Sequence, residues 1–137
     1  MKVLITGTAG FIGFHLANFL SENGHAVYGL DDINDYYDQN LKLDRLVYSG
    51  FDSKKALSGL TINSSKFPDY QFRKLKLEDK DHVFDVFKEF QPEVVVNLAA
   101  QAGVRYSLTH PEAYISANIT GFLNILEACR NYPVKKL

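Results

Sequence analysis

The chain predicts an α/β fold, a doubly wound parallel sheet, and three observations carry that prediction. Apolar runs of strand length alternate with segments of helical period along most of its 137 residues. One run, Val94-Val95-Val96, is apolar on both faces, as a strand between two helical layers must be. The first run, Val3-Leu4-Ile5, leads straight into Thr6-Gly7-Thr8-Ala9-Gly10-Phe11-Ile12-Gly13, a glycine-spaced turn of the kind that joins a strand to a helix.

After that turn, Ile12, Leu16, Phe19 and Leu20 read as the buried stripe of a helix, with Gly24 at the left-handed cap position. Ala26 to Leu30 form the second strand, ended by Asp31 and Asp32. Asn34 to Leu46 hold an acidic, tyrosine-rich turn and then a short helical pattern in which Leu41 and Arg45 or Leu46 recur at one-turn spacing. Residues 49–69 are rich in Ser, Gly, Lys and Asp with weak periodicity, which predicts an irregular loop with one helical turn near Lys54 to Leu57. Tyr70 to Leu77 alternate as a third strand. Asp81 opens a helix carried by Val83, Val86, Phe87 and Phe90 and stopped by Pro92, and Glu93 to Leu98 make the fourth strand. Ala99 to Thr109 are small and polar. Thr109-His110-Pro111-Glu112 is a helix start, and Tyr114, Ile115, Phe122, Leu123 and Leu126 support a long helix to about Asn131, with Asn118 and Gly121 as its odd members. Right-handed crossovers then give strand order 3-2-1-4, with the switch point between the first and fourth strands. Gly7 to Gly13 and Leu98 to Arg105 therefore face each other across a crevice.

The glycine turn carries the chemistry. Gly7 permits the tight exit from the strand, Gly10 lets backbone approach a pyrophosphate, and Gly13 lets the helix pack closely on the sheet. Orphan amides of the first helical turn then face the phosphates, and the helix dipole adds attraction. Asp31 follows the glycines by about 20 residues, the position of a ribose hydroxyl acceptor. The adjacent Asp31 and Asp32 would repel the additional phosphate of NADP, and no Arg or Lys occurs before Lys42, so NAD is the expected cofactor.

Composition narrows the rest. With 46% hydrophobic residues the chain supports one domain, residues 1–137, with a core of its own. A net charge of −1, from 15 basic and 16 acidic residues, offers no nucleic-acid footprint. No apolar stretch reaches membrane length, and the start resembles no signal peptide, so a soluble cytoplasmic chain is expected. Histidines 15, 25, 82 and 110 lack ligand spacing, and with Cys129 the single cysteine, no metal is expected.

On the glycine turn with Asp31, the chain resembles the extended short-chain dehydrogenase/reductases that act on nucleotide sugars, over nearly its whole length. Gly29-Leu30-Asp31-Asp32-Ile33-Asn34-Asp35-Tyr36-Tyr37-Asp38 and Asn97-Leu98-Ala99-Ala100-Gln101-Ala102-Gly103-Val104-Arg105-Tyr106-Ser107 resemble the UDP-glucuronate 4-epimerases in particular, and Asn118-Ile119-Thr120-Gly121 is similar to that family's Asn-x-x-Gly segment. The resemblance implies a cofactor set of Gly7, Ala9, Gly10, Phe11, Ile12, Gly13, Asp31, Asp32, Asn34, Leu77, Leu98, Ala99, Ala100, Gln101 and Asn118. Within it, Leu98, Ala99 and Ala100 line the nicotinamide side, Gln101 lies near it, and Asn118 steadies the site through water. It further implies a UDP-sugar substrate and a 4-keto intermediate. Arg105 is the substrate candidate, since a guanidinium grips a uronate carboxylate bidentately, with a surface ion pair or a phosphate contact as the alternative. Two positions depart from the family. Lys76-Leu77 stand where an Asp and an apolar residue usually meet adenine, and Asp32 stands where Asn is usual.

The resemblance also implies a fifth strand, only begun by Val134-Lys135-Lys136-Leu137, and beyond it a Tyr-x-x-x-Lys helix and a substrate domain. Tyr70 and Lys74 match that spacing by letter, but in a strand they lie about 13 Å apart, against about 6 Å along a helix. The chain is thus expected to be the truncated cofactor-binding front of an epimerase, with no catalytic residue and no activity alone. A 4,6-dehydratase or decarboxylase fragment and a non-catalytic NAD-binding module are the alternatives. Loss of its neighbour would leave the fourth strand as an apolar edge, and self-association is expected there.

Overall fold

The computed structural model describes residues Met1 to Leu137. Five strands, β1 (Lys2–Thr6), β2 (Ala26–Asp31), β3 (Ile62–Asn63), β4 (Tyr70–Lys74) and β5 (Val94–Asn97), form one sheet in the order β3-β4-β2-β1-β5. Its four long members are parallel in the arrangement read from the sequence, with Val3 opposite both Val27 and Val94. Strand β3 is an addition. It pairs antiparallel with β4, Ile62 opposite Phe72, inside the segment that reads as irregular, and two residues are too few to show alternation. The same segment holds a one-turn helix, α3 (Ser53–Ala56), where the Asp52 carboxylate accepts from the Lys55 amide.

Alternation along β1 sends Val3 and Ile5 to one face and Leu4 to the other, and each face is covered by helices. Helices α1 (Phe11–Glu22) and α2 (Gln39–Tyr48) cover the face of Val3, Ile5, Val27, Leu46 and Phe72. Helices α4 (Lys80–Phe90) and α7 (Phe122–Asn131) cover that of Leu4, Tyr28, Leu30, Val83, Phe87 and Ile125. The α4 stripe is the one expected, with Val83, Val86 and Phe87 fully enclosed.

Two other helices bury a different face from the one their bulky residues mark. On α1, Ile12 is 66% and Phe19 61% exposed, Leu16 and Leu20 are half-buried, and the enclosed residues are Gly13, Ala17 and Asn18. A Cβ on Gly13 would overlap the Gly7 carbonyl, so α1 meets the sheet through its smallest side chains and turns the flanking ones outward. On α7 the enclosed residues are Asn124, Ile125 and Ala128, while Phe122, Leu123 and Leu126 are exposed along with Ile115 before them. The long helix is also interrupted: α6 (Pro111–Tyr114) runs into a π-helical stretch, Ile115–Gly121, before α7 begins. A further short helix, α5 (Val104–Thr109), buries none of its residues and so left no apolar period to read.

The outer edge of β5 is partly occupied. The Val95 amide donates to the Lys136 carbonyl at 2.9 Å, the Lys135 amide donates to the Glu93 carbonyl at 2.7 Å, and Lys136 pairs parallel with Val94. The bare edge expected from the sequence is corrected accordingly, because the segment around Lys135 and Lys136 lies down beside β5. The contact at Gly13 gives a direct test: Gly13→Ala is expected to cost about 1–3 kcal/mol by overpacking. Urea denaturation followed by circular dichroism measures it, with a Gly24→Ala chain, where a Cβ meets open space but φ is +75°, as the comparison for a purely conformational cost.

Candidate cofactor site

Gly7, at φ +79°, turns the chain out of β1 and donates its amide to the Leu30 carbonyl at 2.6 Å. Gly10 donates to the Gly7 carbonyl at 3.0 Å and is the N-cap of α1. The next three amides, those of Phe11, Ile12 and Gly13, donate to no protein acceptor. Free first-turn amides behind a backbone cleared of Cβ atoms fit a dinucleotide pyrophosphate. This observation of the chain itself supports the cofactor expectation.

The opposite wall is held by Thr6, whose significance the sequence did not reveal. Its buried hydroxyl donates to Asn97 Oδ1 at 2.7 Å and accepts from the Leu98 and Ala99 amides at 3.0 Å each, so the chain leaving β5 is tied to the end of β1. Asn118, in the π-helical stretch, clamps the backbone of Gln101 at both ends: Oδ1 accepts from its amide at 2.7 Å and Nδ2 donates to its carbonyl at 3.0 Å. The clamp is a direct one, side chain to backbone. Asn124 was also missed; it is buried, and its Nδ2 donates to the carbonyls of Leu77 at 2.8 Å and Glu78 at 3.2 Å.

Asp31 ends β2 and is 7% exposed. Its Oδ2 accepts from the Ala9 amide at 3.0 Å and its Oδ1 from the Ile33 amide at 2.9 Å. Burial pushes its carboxyl above the ordinary aspartate value, the Lys42 ammonium at 3.7 Å and the Ile33 amide pull it back, and Asp32 adds to the rise. Lys42 overturns one premise of the sequence reading. It follows Asp31 by a turn and a helical start, yet α2 carries its ammonium into the site, and Arg45 Nη1 donates to the Ala9 carbonyl at 3.0 Å. The expected polarity of α2 is inverted at this point, with Leu41 exposed and Lys42 buried.

These walls bound a cleft of about 440 Å³. Gly7, Gly10, Asp31, Asp32, Asn34, Leu77, Leu98, Ala99, Ala100 and Gln101 line it, as do Lys42, Lys76, Tyr36 and Tyr106. Ala9 lies beneath it, fully buried. Phe11 and Ile12 expose their side chains to solvent and do not line the cleft. Arg105 sits exposed on α5 outside the lining, with no hydrogen bond or ion pair of its own. Tyr36 crosses the mouth, resting on Tyr106 with ring centroids 4.8 Å apart and on Gly103, where a Cβ would overlap its hydroxyl. Tyr70, the spurious partner of Lys74, is fully buried in β4, and burial raises its phenol far above the ordinary value, the reverse of what a base requires.

A parallel sheet with free helix amides at its switch point and an acidic end to the neighbouring strand defines a dinucleotide-binding domain. The model of the NAD dependent epimerase/dehydratase family matches residues 3–137, and the chain belongs to that family. NAD is the cofactor. Among curated relatives, the chain is 51% identical over 137 residues to protein CapI of Staphylococcus aureus, and 41% identical over 138 residues to a probable UDP-glucuronate 4-epimerase of Rhizobium meliloti. All of this chain is covered in each case, against 36% of either relative. Among solved structures, a UDP-glucose 4-epimerase of Thermus thermophilus in complex with NAD is similar at TM-score 0.71 and 34% identity, covering 98% of this chain and 35% of that one. The enzyme of the same name from Thermotoga maritima, with UDP-glucose, gives TM-score 0.73 and 31% identity over 98% and 36%. The chain thus spans about a third of the length of the proteins it matches. No helix is long and apolar enough to cross a membrane.

Two outcomes are expected from this geometry. Thr6→Val strands the Leu98 and Ala99 amides, and a loss of about 1–3 kcal/mol in a denaturant titration is the expected result. Because the folded-state pKa of Asp31 is raised, the folded chain binds the proton more tightly than the unfolded one; this group favours folding most below the ordinary carboxylate range, and the contribution is lost as pH rises through the raised value. The stability difference between the wild type and Asp31→Ala should therefore move toward the wild type as pH falls from 7 to 4.

Proposed function

We propose that this chain is the NAD-binding portion of a nucleotide-sugar 4-epimerase acting on UDP-glucuronate and UDP-galacturonate through a 4-keto intermediate. The observation that carries the proposal is the cleft itself, lined by Asp31, by Gly7 and Gly10 of the glycine turn and by the clamped Leu98 to Gln101 wall. The assignment to uronates is supported by the specific segments around Tyr36 and Arg105 and by the relative named as a probable UDP-glucuronate 4-epimerase.

NAD, when bound, takes up a hydride from a sugar carbon and returns it. The residues of this chain bind, orient and enclose. Asp31 accepts from a ribose hydroxyl pair, the amides of Phe11, Ile12 and Gly13 donate to the pyrophosphate, and Leu77 packs on the adenine ring beside Lys76. Leu98, Ala99 and Ala100 face the nicotinamide, with Asn118 fixing Gln101 so that this wall does not shift. Arg105, unpaired on an exposed helix, is available to a uronate carboxylate. No tyrosine of the chain combines a place in the cleft with a lysine one helical turn away, and we assign proton transfer to residues outside these 137. Self-association belongs to the same proposal, supported by the exposed Ile115, Ile119, Leu123 and Leu126 on one helical segment. Light scattering across a dilution series measures it, and a monodisperse monomer at high concentration refutes it.

Titration of the wild type and Asp31→Ala with NAD and NADP tests the cofactor reading. Wild type is expected to prefer NAD, and loss of the charged acceptor to cost about 1–3 kcal/mol of binding; equal affinity for the two cofactors would overturn the preference. Incubating the purified chain with a UDP-uronic acid should give no 4-epimer, and turnover above background would place a catalytic base inside these residues.

A further inference from the structure

Lys42 is a buried cation to which none of these roles has been given. It stands in a ring of four side chains at the end of β2. The Asn34 amide nitrogen Nδ2 donates to Asp32 Oδ2 at 3.2 Å, and its backbone amide to Asp32 Oδ1 at 3.0 Å. Asn34 Oδ1 accepts from Lys42 Nζ at 3.0 Å, and Lys42 Nζ lies 3.7 Å from Asp31 Oδ1. The Lys42 and Asp31 side chains keep only 10% and 7% of their surface. An ammonium withdrawn from water to this degree is costly unless its partners repay it, and both of its partners belong to the wall that faces the cofactor.

We propose that Lys42 is a positioning residue for the adenosine end of the cofactor: held by Asn34, it fixes the Asp31 carboxylate toward a ribose hydroxyl pair and is not itself free to anchor a 2′-phosphate. The charge balance agrees. Asp31 and Asp32 against one lysine leave the ring net negative, so the cation offsets self-repulsion between the two carboxylates without inviting a further anion. Geometry agrees as well. Asp31 receives the Ala9 and Ile33 amides from two directions, and Lys42 meets the same Oδ1 as Ile33, which leaves Oδ2 with a lone pair for the ligand. Asp32 holds the Asn34 amide in the ring and so takes a structural part in it.

This rests on Asp31 being the ribose acceptor, so the test pairs the two positions. NAD affinity is measured by calorimetry at pH 8, 7 and 6 on the wild type, Lys42→Met, Lys42→Arg and Asp31→Ala, each checked for cooperative thermal unfolding. The groups facing the Asp31 carboxylate are Lys42 from α2, Asp32 from its own loop and Tyr70 from β4. Of these, only the ammonium favours the ionised acceptor. Lys42→Met is therefore expected to bind NAD about tenfold to a hundredfold more weakly at pH 7, as for loss of a charged hydrogen-bond partner. Its affinity should also fall more steeply than that of the wild type as pH is lowered, while Lys42→Arg restores most of the loss and, in a parallel titration, neither variant gains affinity for NADP. Wild-type affinity in Lys42→Met would overturn the proposal, and so would a loss that runs parallel to the wild type at every pH and is not rescued by Arg. If Asp31→Ala also binds as the wild type does, the ribose assignment is what has failed. Should Lys42→Met not fold, Asn34→Ala leaves the ammonium in place and removes its tether: weaker NAD binding with the steeper pH profile supports the ring, and an unchanged profile overturns it.

Discussion

The approach of the first turn of α1 to the end of β1 is the constraint from which the rest of this structure follows. With no Cβ at Gly7, Gly10 or Gly13, the helix lies against the strand exit, and its first-turn amides are left unpaired there. That seating explains why α1 buries Gly13 and Ala17 and leaves Ile12 and Phe19 in solvent. It also brings Ala9 under the end of β2, where its amide meets Asp31 and its carbonyl meets Arg45. One close approach therefore sets the buried helix face, the unpaired first-turn amides and the orientation of the Asp31 carboxylate together.

The second wall depends on the first through side chains that are neither charged nor aromatic. Thr6 reaches from the last position of β1 to the amides that follow β5, so the two loops flanking the switch point keep a fixed separation. Asn118 and Asn124 do comparable work from the helical layer, each binding backbone on a neighbouring loop. The π-helical stretch has a reason in this arrangement. It sets Asn118 on Gln101 while Gly121, whose Cβ would press on Leu77, lets the same helix approach the end of the loop that carries Leu77. Irregular helical turns of this type commonly mark such sites.

Charge at the end of β2 is arranged more closely than the composition suggests. A net charge of −1 over the chain conceals a ring in which two carboxylates, one amide and one ammonium are joined by hydrogen bonds of 3.2 and 3.0 Å and an ion pair of 3.7 Å. The one lysine of the ring is already engaged by Asn34 and Asp31.

Parallel strand order, the two faces of the sheet, the α4 stripe, the glycine turn and the acidic end of β2 were determined by the sequence alone. Each rests on a local period or on a backbone conformation that few residue types permit, and both are written in neighbouring letters. Tertiary structure alone decided which faces α1 and α7 bury, because that choice belongs to small residues making close contacts and not to the large apolar ones that dominate a periodicity. It also decided that Lys42 belongs to the site while Arg105 stays on the surface: whether a cation reaches a carboxylate 11 positions away depends on how the intervening helix docks. Thr6, Asn118 and Asn124 were invisible for the same reason, since a polar side chain that binds backbone distant in sequence carries no signal until the chain has folded around it.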